Sequence, residues 1–329
     1  MSKTVRRLLA VLLLGTALPL GALAASSADE GPYPGLPPLQ HVDGEIGSRW
    51  GSTVSGGIAN TLRARQWSRT PLMASAYNVI LRPKTPSEFG PEYFGCTDSH
   101  AFVYFVSAPG AMHNYGETPD ITVRTVAFGD IPVRATVRLE QRRDDAGRPL
   151  PISFHSSACI LNEPGPHGTT QVRDTDIEDR LYVRVTNVVV DGVPVRLAAG
   201  CRTAEPGSLR LHGKGWWDDE LQGFGGQIDI VQPWLTGNFS PAQGGLLAGS
   251  LDVGRFAGCT TVDGDDLSRL LTATVAGPGN PVRLTTTGAF GCRGPRLPSG
   301  LIGPPAPGMG AQDLTCPSGM PAPIPDFPG

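Results

Sequence analysis

Along most of the chain apolar side chains recur at every second position, in short runs broken by glycine, proline, asparagine and aspartate. A two-residue period belongs to a strand with one face buried and the other in water. The clearest case begins at Leu181. Leu181, Val183 and Val185 alternate with Tyr182, Arg184 and Thr186, and after Asp191-Gly192 the alternation resumes with Val193, Val195 and Leu197. Asp-Gly between two such runs predicts a hairpin, because a type I′ turn needs two residues that tolerate positive φ. Strand-like runs precede it at 77–82, 101–107, 121–128, 131–139 and 152–161. Others follow at 208–212, 227–231, 246–253 and 282–287.

Helical periodicity is sparse. Residues 58–67, after Gly56-Gly57, make one short candidate, and 265–271 make the best one, with an aspartate placed to cap the first turn. A turn pair followed by Pro-Val-Arg occurs three times, at Pro132, Pro194 and Pro281, each near a strand start where a missing N–H costs least. Their spacings of 62 and 87 residues are too irregular for a solenoid. They read as three uses of one hairpin solution, as the remains of a duplicated β unit, or as chance recurrence.

Many short strands separated by turns predict an all-β chain folded as an antiparallel β-sandwich, in one large unit or two smaller ones. The expected order is a signal peptide over 1–24, a partly disordered N-terminal arm over 25–75, β units over 76–201 and 202–293, and a tail over 294–329. The tail holds ten prolines in 36 residues, a polyproline-like composition.

The leader follows from Lys3, Arg6 and Arg7, the apolar stretch from Leu8 to Leu20, and Ala22-Leu23-Ala24, which predicts cleavage before Ala25. Arg6-Arg7 fits the twin-arginine route less well than ordinary secretion. The apolar run is too short to span a bilayer and no second one follows. A secreted protein is expected, extracellular or held at the cell wall.

Composition sharpens this picture in three ways. Glycine (43) and proline (32) are abundant, and much of the excess lies at the two ends. Lysine occurs only at Lys3, Lys84 and Lys214 among 27 basic residues, an arginine bias of the kind a GC-rich genome produces. Without Lys3, Arg6 and Arg7 the chain carries 24 basic and 30 acidic residues, net −6, which argues against nucleic acid as a partner.

The six cysteines, Cys96, Cys159, Cys201, Cys259, Cys292 and Cys316, all lie beyond the leader. An even count in an exported chain predicts three disulfides. Sequential pairing, Cys96–Cys159, Cys201–Cys259 and Cys292–Cys316, gives Cys316 a reason to exist in a proline-rich tail. Its main rival is Cys159–Cys201. None of the spacings is that of a zinc site.

No catalytic motif is present: no G-x-S-x-G elbow, no H-E-x-x-H, no phosphate-cradling glycine loop. Neither a cofactor nor a metal is expected. The histidines His41, His100, His113, His155, His167 and His212 lack ligand-like local spacing, although a fold could still bring some together. Asp263-Gly264-Asp265-Asp266 has carboxylates for a calcium loop, but helix capping explains it without a metal. Asp174, Asp176, Glu178 and Asp179 read as a solvated loop leading into the central hairpin.

The richest candidate stretch holds Trp216, Trp217, Asp218 and Glu220, followed by Phe224 and Trp234. Aromatic rings stack on sugar faces and carboxylates accept sugar hydroxyls. Core packing of the same tryptophans is the competing explanation. The expected function is therefore binding or a structural role in the cell envelope, with cell-wall glycan or another envelope component as partner. The alternative is a glycan-acting hydrolase using Asp218, Asp219, Glu220 or Asp229.

Around Cys201-Arg202-Thr203-Ala204, Phe256-Ala257-Gly258-Cys259, Asp266-Leu267 through Leu271-Thr272-Ala273, and Gly277-Pro278-Gly279-Asn280-Pro281, the chain resembles a group of secreted actinobacterial proteins of unassigned function. The resemblance covers roughly residues 195–290. It implies export and a β-rich body, and it implies no activity.

Overall fold

The computed structural model describes residues 37, 40–45, 47–106, 115–127, 131–163, 170–218, 239–240 and 244–287. Within them fourteen strands form a single sheet. They are β1 (Gly47–Thr61), β2 (Gln66–Pro83), β3 (Tyr93–Phe105), β4 (Ile121–Ala127), β5 (Ile131–Gln141), β6 (Ile152–Leu161) and β7 (Thr170–Val190). Then come β8 (Val193–Val195), β9 (Arg202–Thr203), β10 (Gly207–Asp218), β11 (Phe239–Ser240), β12 (Gly244–Val253), β13 (Phe256–Ala257) and β14 (Gly277–Thr287). One helix, α1 (Ser268–Val275), precedes β14.

The all-β, antiparallel, sandwich-like body expected from alternation is what the chain adopts. Its layers are parts of one sheet that curls around a shared interior. The order β10-β12-β14-β1-β2-β3-β6-β7 closes on itself because β10 also pairs with β7, Gly207 opposite Leu181 through Asp218 opposite Thr170. Every pairing is antiparallel. Closure gives each of these staves a neighbour on both sides over at least part of its length.

β7 is the organising strand. At 21 residues it reaches about 70 Å when extended, longer than one barrel wall needs. Its first half lies between β6 and β10, and its second half pairs with β5, from Leu181 opposite Gln141 to Val190 opposite Val133. Thus β3 and β6 complete the wall at one end, and β4 and β5 at the other. The Asp191-Gly192 turn takes the positive φ values expected of it, 48° and 78°, and folds β8 back onto β7.

The three Pro-Val-Arg copies share one arrangement. Val133, Val195 and Val282 line the interior while Arg134, Arg196 and Arg283 are exposed. Strands from 76–201 and 202–293 lie in the same sheet.

Four local readings are corrected. Residues 47–75, expected as part of an arm, form β1 and most of β2. The helix expected over 58–67 is strand and turn, because Ile58 is held between Arg283 of β14 and Arg69 of β2. The acidic run at 174–179 is strand, not loop. Asp174, Asp176 and Glu178 point outward while Thr175 and Ile177 are buried, so the acids occupy the wet face of an ordinary alternation. The helix expected from residue 265 begins at Ser268, with the Asp266 carboxylate accepting the Ser268 N–H at 2.9 Å. The Ser268 hydroxyl, and after it this N–H, hold the Asp266 pKa below the usual carboxylate value.

Candidate functional site

The inward faces of the strands do not meet. They enclose a cavity of about 710 Å³. Its walls follow from alternation. β5 contributes Val133, Ala135, Val137 and Leu139, and β7 contributes Ile177, Leu181, Val183, Val185 and Val188. Across from them stand Leu209 and Leu211 of β10, Leu247 and Leu251 of β12, and Val282 and Leu284 of β14. β-Branched residues suit a pleated surface, and here they make a wall with few polar atoms.

Toward one end aromatic rings meet in the lining. Phe239 is buried against Phe154 with ring centroids 6.1 Å apart. It sits over Gly213, where an added Cβ would lie 2.8 Å from both Phe239 Cβ and Leu247 Cδ2.

The opposite end is different. Of the residues lining the cavity, the exposed ones are Arg63, Arg65, Val126, Ile131, Leu270, Ala273 and Thr274. They come from three neighbouring pieces: the β1–β2 turn, the tips of β4 and β5, and α1. The cavity meets solvent there. Arg63 Nη1 donates to the Thr272 carbonyl at 3.5 Å and joins the turn to the helix at this mouth.

The wall made by β1 and β2 is more polar. Thr53, Ser55 and Thr61 face Gln66, Ser68, Thr70 and Ser75 across the interior side of this hairpin. Gln66 Nε2 and Thr70 Oγ1 are buried with no hydrogen-bond partner. Arg63 and Arg65 are the only ionisable lining residues besides Tyr77, and no aspartate, glutamate, histidine or cysteine is among the described ones. The described interior therefore has the chemistry to hold an apolar molecule.

Two disulfides match sequential pairing, and both lie on this scaffold. Cys96 and Cys159 are direct partners across β3 and β6, with Cα atoms 4.1 Å apart. Cys201–Cys259 joins the start of β9 to the end of β13. Cys201 accepts the Val185 N–H of β7, while the Cys259 carbonyl accepts the Leu267 N–H at the foot of α1. This bridge ties the helix at the mouth to the organising strand. Cys292 and Cys316 lie outside the described residues.

The outer surface gathers three of the scattered histidines on one rung. His100, His155, Asp176 and His212 are successive cross-strand partners through β3, β6, β7 and β10. His100 and His155 have ring centroids 4.8 Å apart. Burial, and then the neighbouring His155, push the His100 pKa down. Asp98, on the next rung, is buried, which raises its pKa. Lys84 at 3.1 Å and Arg82 at 3.0 Å outweigh burial and hold it below the ordinary value. His155 Nε2 lies 3.7 Å from Asp98 Oδ1, so Asp98, His100 and His155 form one cluster in which Lys84 and Arg82 already balance the carboxylate. His212 lies between two exposed carboxylates, Nδ1 2.8 Å from Asp176 and Nε2 3.4 Å from Asp174. His41 pairs with Glu45 at 2.7 Å.

The tryptophan candidate is reached only in part. Trp216, Trp217 and Asp218 end β10 opposite Val172, Gln171 and Thr170. Their side chains lie outside the described residues, as do Asp219, Glu220, Phe224, Asp229, Trp234, His113 and His167. The mouth residues went unread in the sequence because the inward face of residues 66–70 is polar, the inverse of a core-facing pattern. A usable signal was present: residues 46–87 contain no aspartate or glutamate.

Comparison of the chain with protein-family models, with curated proteins and with solved structures finds no match to any of them.

Proposed function

We propose that this is an exported binding protein that encloses an apolar or amphipathic small molecule inside its barrel and holds it without transforming it. The observation that carries this reading is the continuous apolar cavity of about 710 Å³ with its mouth at one end. Small-molecule sites run from about 300 to 1,000 Å³, and closed barrels of eight strands are wide enough for one small ligand. A void lined by leucine and valine forfeits dispersion contacts unless something fills it. The two disulfides, the leader and the resemblance to secreted actinobacterial proteins support a place outside the cytoplasm. No described helix is long and apolar enough to cross a membrane. The tryptophan stretch adds nothing for or against a glycan.

The test is titration of the purified mature protein with N-phenyl-1-naphthylamine, an uncharged apolar dye. Saturable binding near one per chain is expected, and Ala135→Trp, which projects a large ring into the cavity, should abolish it while the melting temperature holds. No dye binding, together with severe destabilisation by Ala135→Trp as in an already filled core, would sink the proposal.

A further inference from the structure

Resting on that reading, we infer that the occupant is an amphiphile with an anionic head, a carboxylate or a phosphate monoester. The head lies at Arg63 and Arg65 and the hydrocarbon runs inward toward Phe154 and Phe239.

The charged lining residues, both cationic, stand at the mouth, while Phe154 and Phe239 lie away from it among aliphatic neighbours. Neither arginine has a carboxylate partner among the described residues, and residues 46–87 contain no acid to supply one. Guanidinium groups in this position complement carboxylate and phosphate oxygens with paired N–H donors.

Arg65 also holds φ at +49°, where a side chain is strained and glycine would be at ease. The turn nonetheless places a guanidinium against the cavity. Just inside, Gln66 Nε2 and Thr70 Oγ1 are buried polar atoms without partners. Such atoms are costly when dry and are repaid by a ligand that brings acceptors to them. Arginine at the rim with an amide and a hydroxyl below it forms a graded set of donors for one oxygen-rich head. A neutral hydrocarbon would bring no acceptor to any of these groups.

The experiment is displacement of bound N-phenyl-1-naphthylamine by oleate, by oleyl lysophosphatidate and by oleyl alcohol, three probes with the same length of chain. The wild-type protein should prefer at least one anionic probe over the alcohol by roughly tenfold or more. In Arg63→Gln/Arg65→Gln that ratio should fall toward one, and in wild type it should shrink as salt is raised. Preference for oleate marks a carboxylate ligand and preference for the lysophosphatidate a phosphate, and either supports the inference. Equal displacement by all three probes, unchanged in the double variant, overturns the anionic head and leaves the apolar-ligand reading standing. Absence of dye binding in wild type overturns both.

Discussion

The Gln141 side chain bridges to Phe105 where β5 and β3 come together, its Oε1 accepting the Phe105 N–H at 2.7 Å. Its Nε2 donates to the carbonyls of Val103 at 3.0 Å and Leu150 at 2.8 Å. β3 pairs with β6 only as far as Val103 while β2 stays beside it to Phe105, so on the β6 side one buried amide takes the place of a strand. Gln141→Leu keeps the volume but orphans an N–H and two carbonyls. A loss of about 2–4 kcal/mol is expected from urea unfolding. A loss below 0.5 kcal/mol would show that water replaces the amide freely.

Gly213 should resist substitution for a purely spatial reason. A Cβ there meets the side chain of Phe239 and the end of Leu247. Gly213→Val should cost about 1–3 kcal/mol by overpacking. It should also speed dye release, because Phe239 must shift. Unchanged stability together with unchanged release rate would show that Phe239 is not seated on Gly213.

The Cys201–Cys259 bridge closes a loop with a sequence separation of 58. Replacing both cysteines with serine should destabilise by roughly 3–5 kcal/mol. Since the bridge anchors the foot of α1, hydrogen exchange should accelerate first in Ser268–Val275. Acceleration confined to β3 and β6 would contradict that placement.

His100 makes stability depend on pH. Its folded-state pKa lies below the ordinary 6.5 because burial and His155 disfavour its cation, so the unfolded chain binds the proton more readily. The associated stability is present above pH 6.5 and is lost as pH falls toward the folded-state value. His100→Gln should flatten the decline in urea midpoint between pH 7 and pH 5. An equally steep decline in the variant would assign that slope to other groups. The depressed pKa of Asp98 acts lower, withdrawing stability below about pH 3.8 as its contacts with Lys84 and Arg82 are lost.

Much of the strand map was legible because strand and hairpin signals are local. β6 runs over the very residues whose alternation predicted it, 152–161, and the Asp191-Gly192 turn follows from which residues tolerate positive φ. Sequential cysteine pairing holds for both disulfides in the described residues. The acidic face of β7 could have been read as strand by counting Thr175 and Ile177 rather than the charges around them.

The sequence by itself determined the all-β class, the strands with an apolar inward face and the turns between them, because each depends on neighbours one to four positions away. Only the tertiary structure decided that β10 returns to β7 and closes the sheet, since register between segments some forty residues apart is set by pairing and not by local preference. Closure in turn decided that inward valines and leucines face a void instead of each other. It also set His100, His155 and His212 on one rung, though no spacing along the chain relates them. The mouth lay furthest from view. Gln66, Ser68 and Thr70 read as surface by composition, and only the curvature of β2 turns that polar face inward to where Arg63 and Arg65 stand.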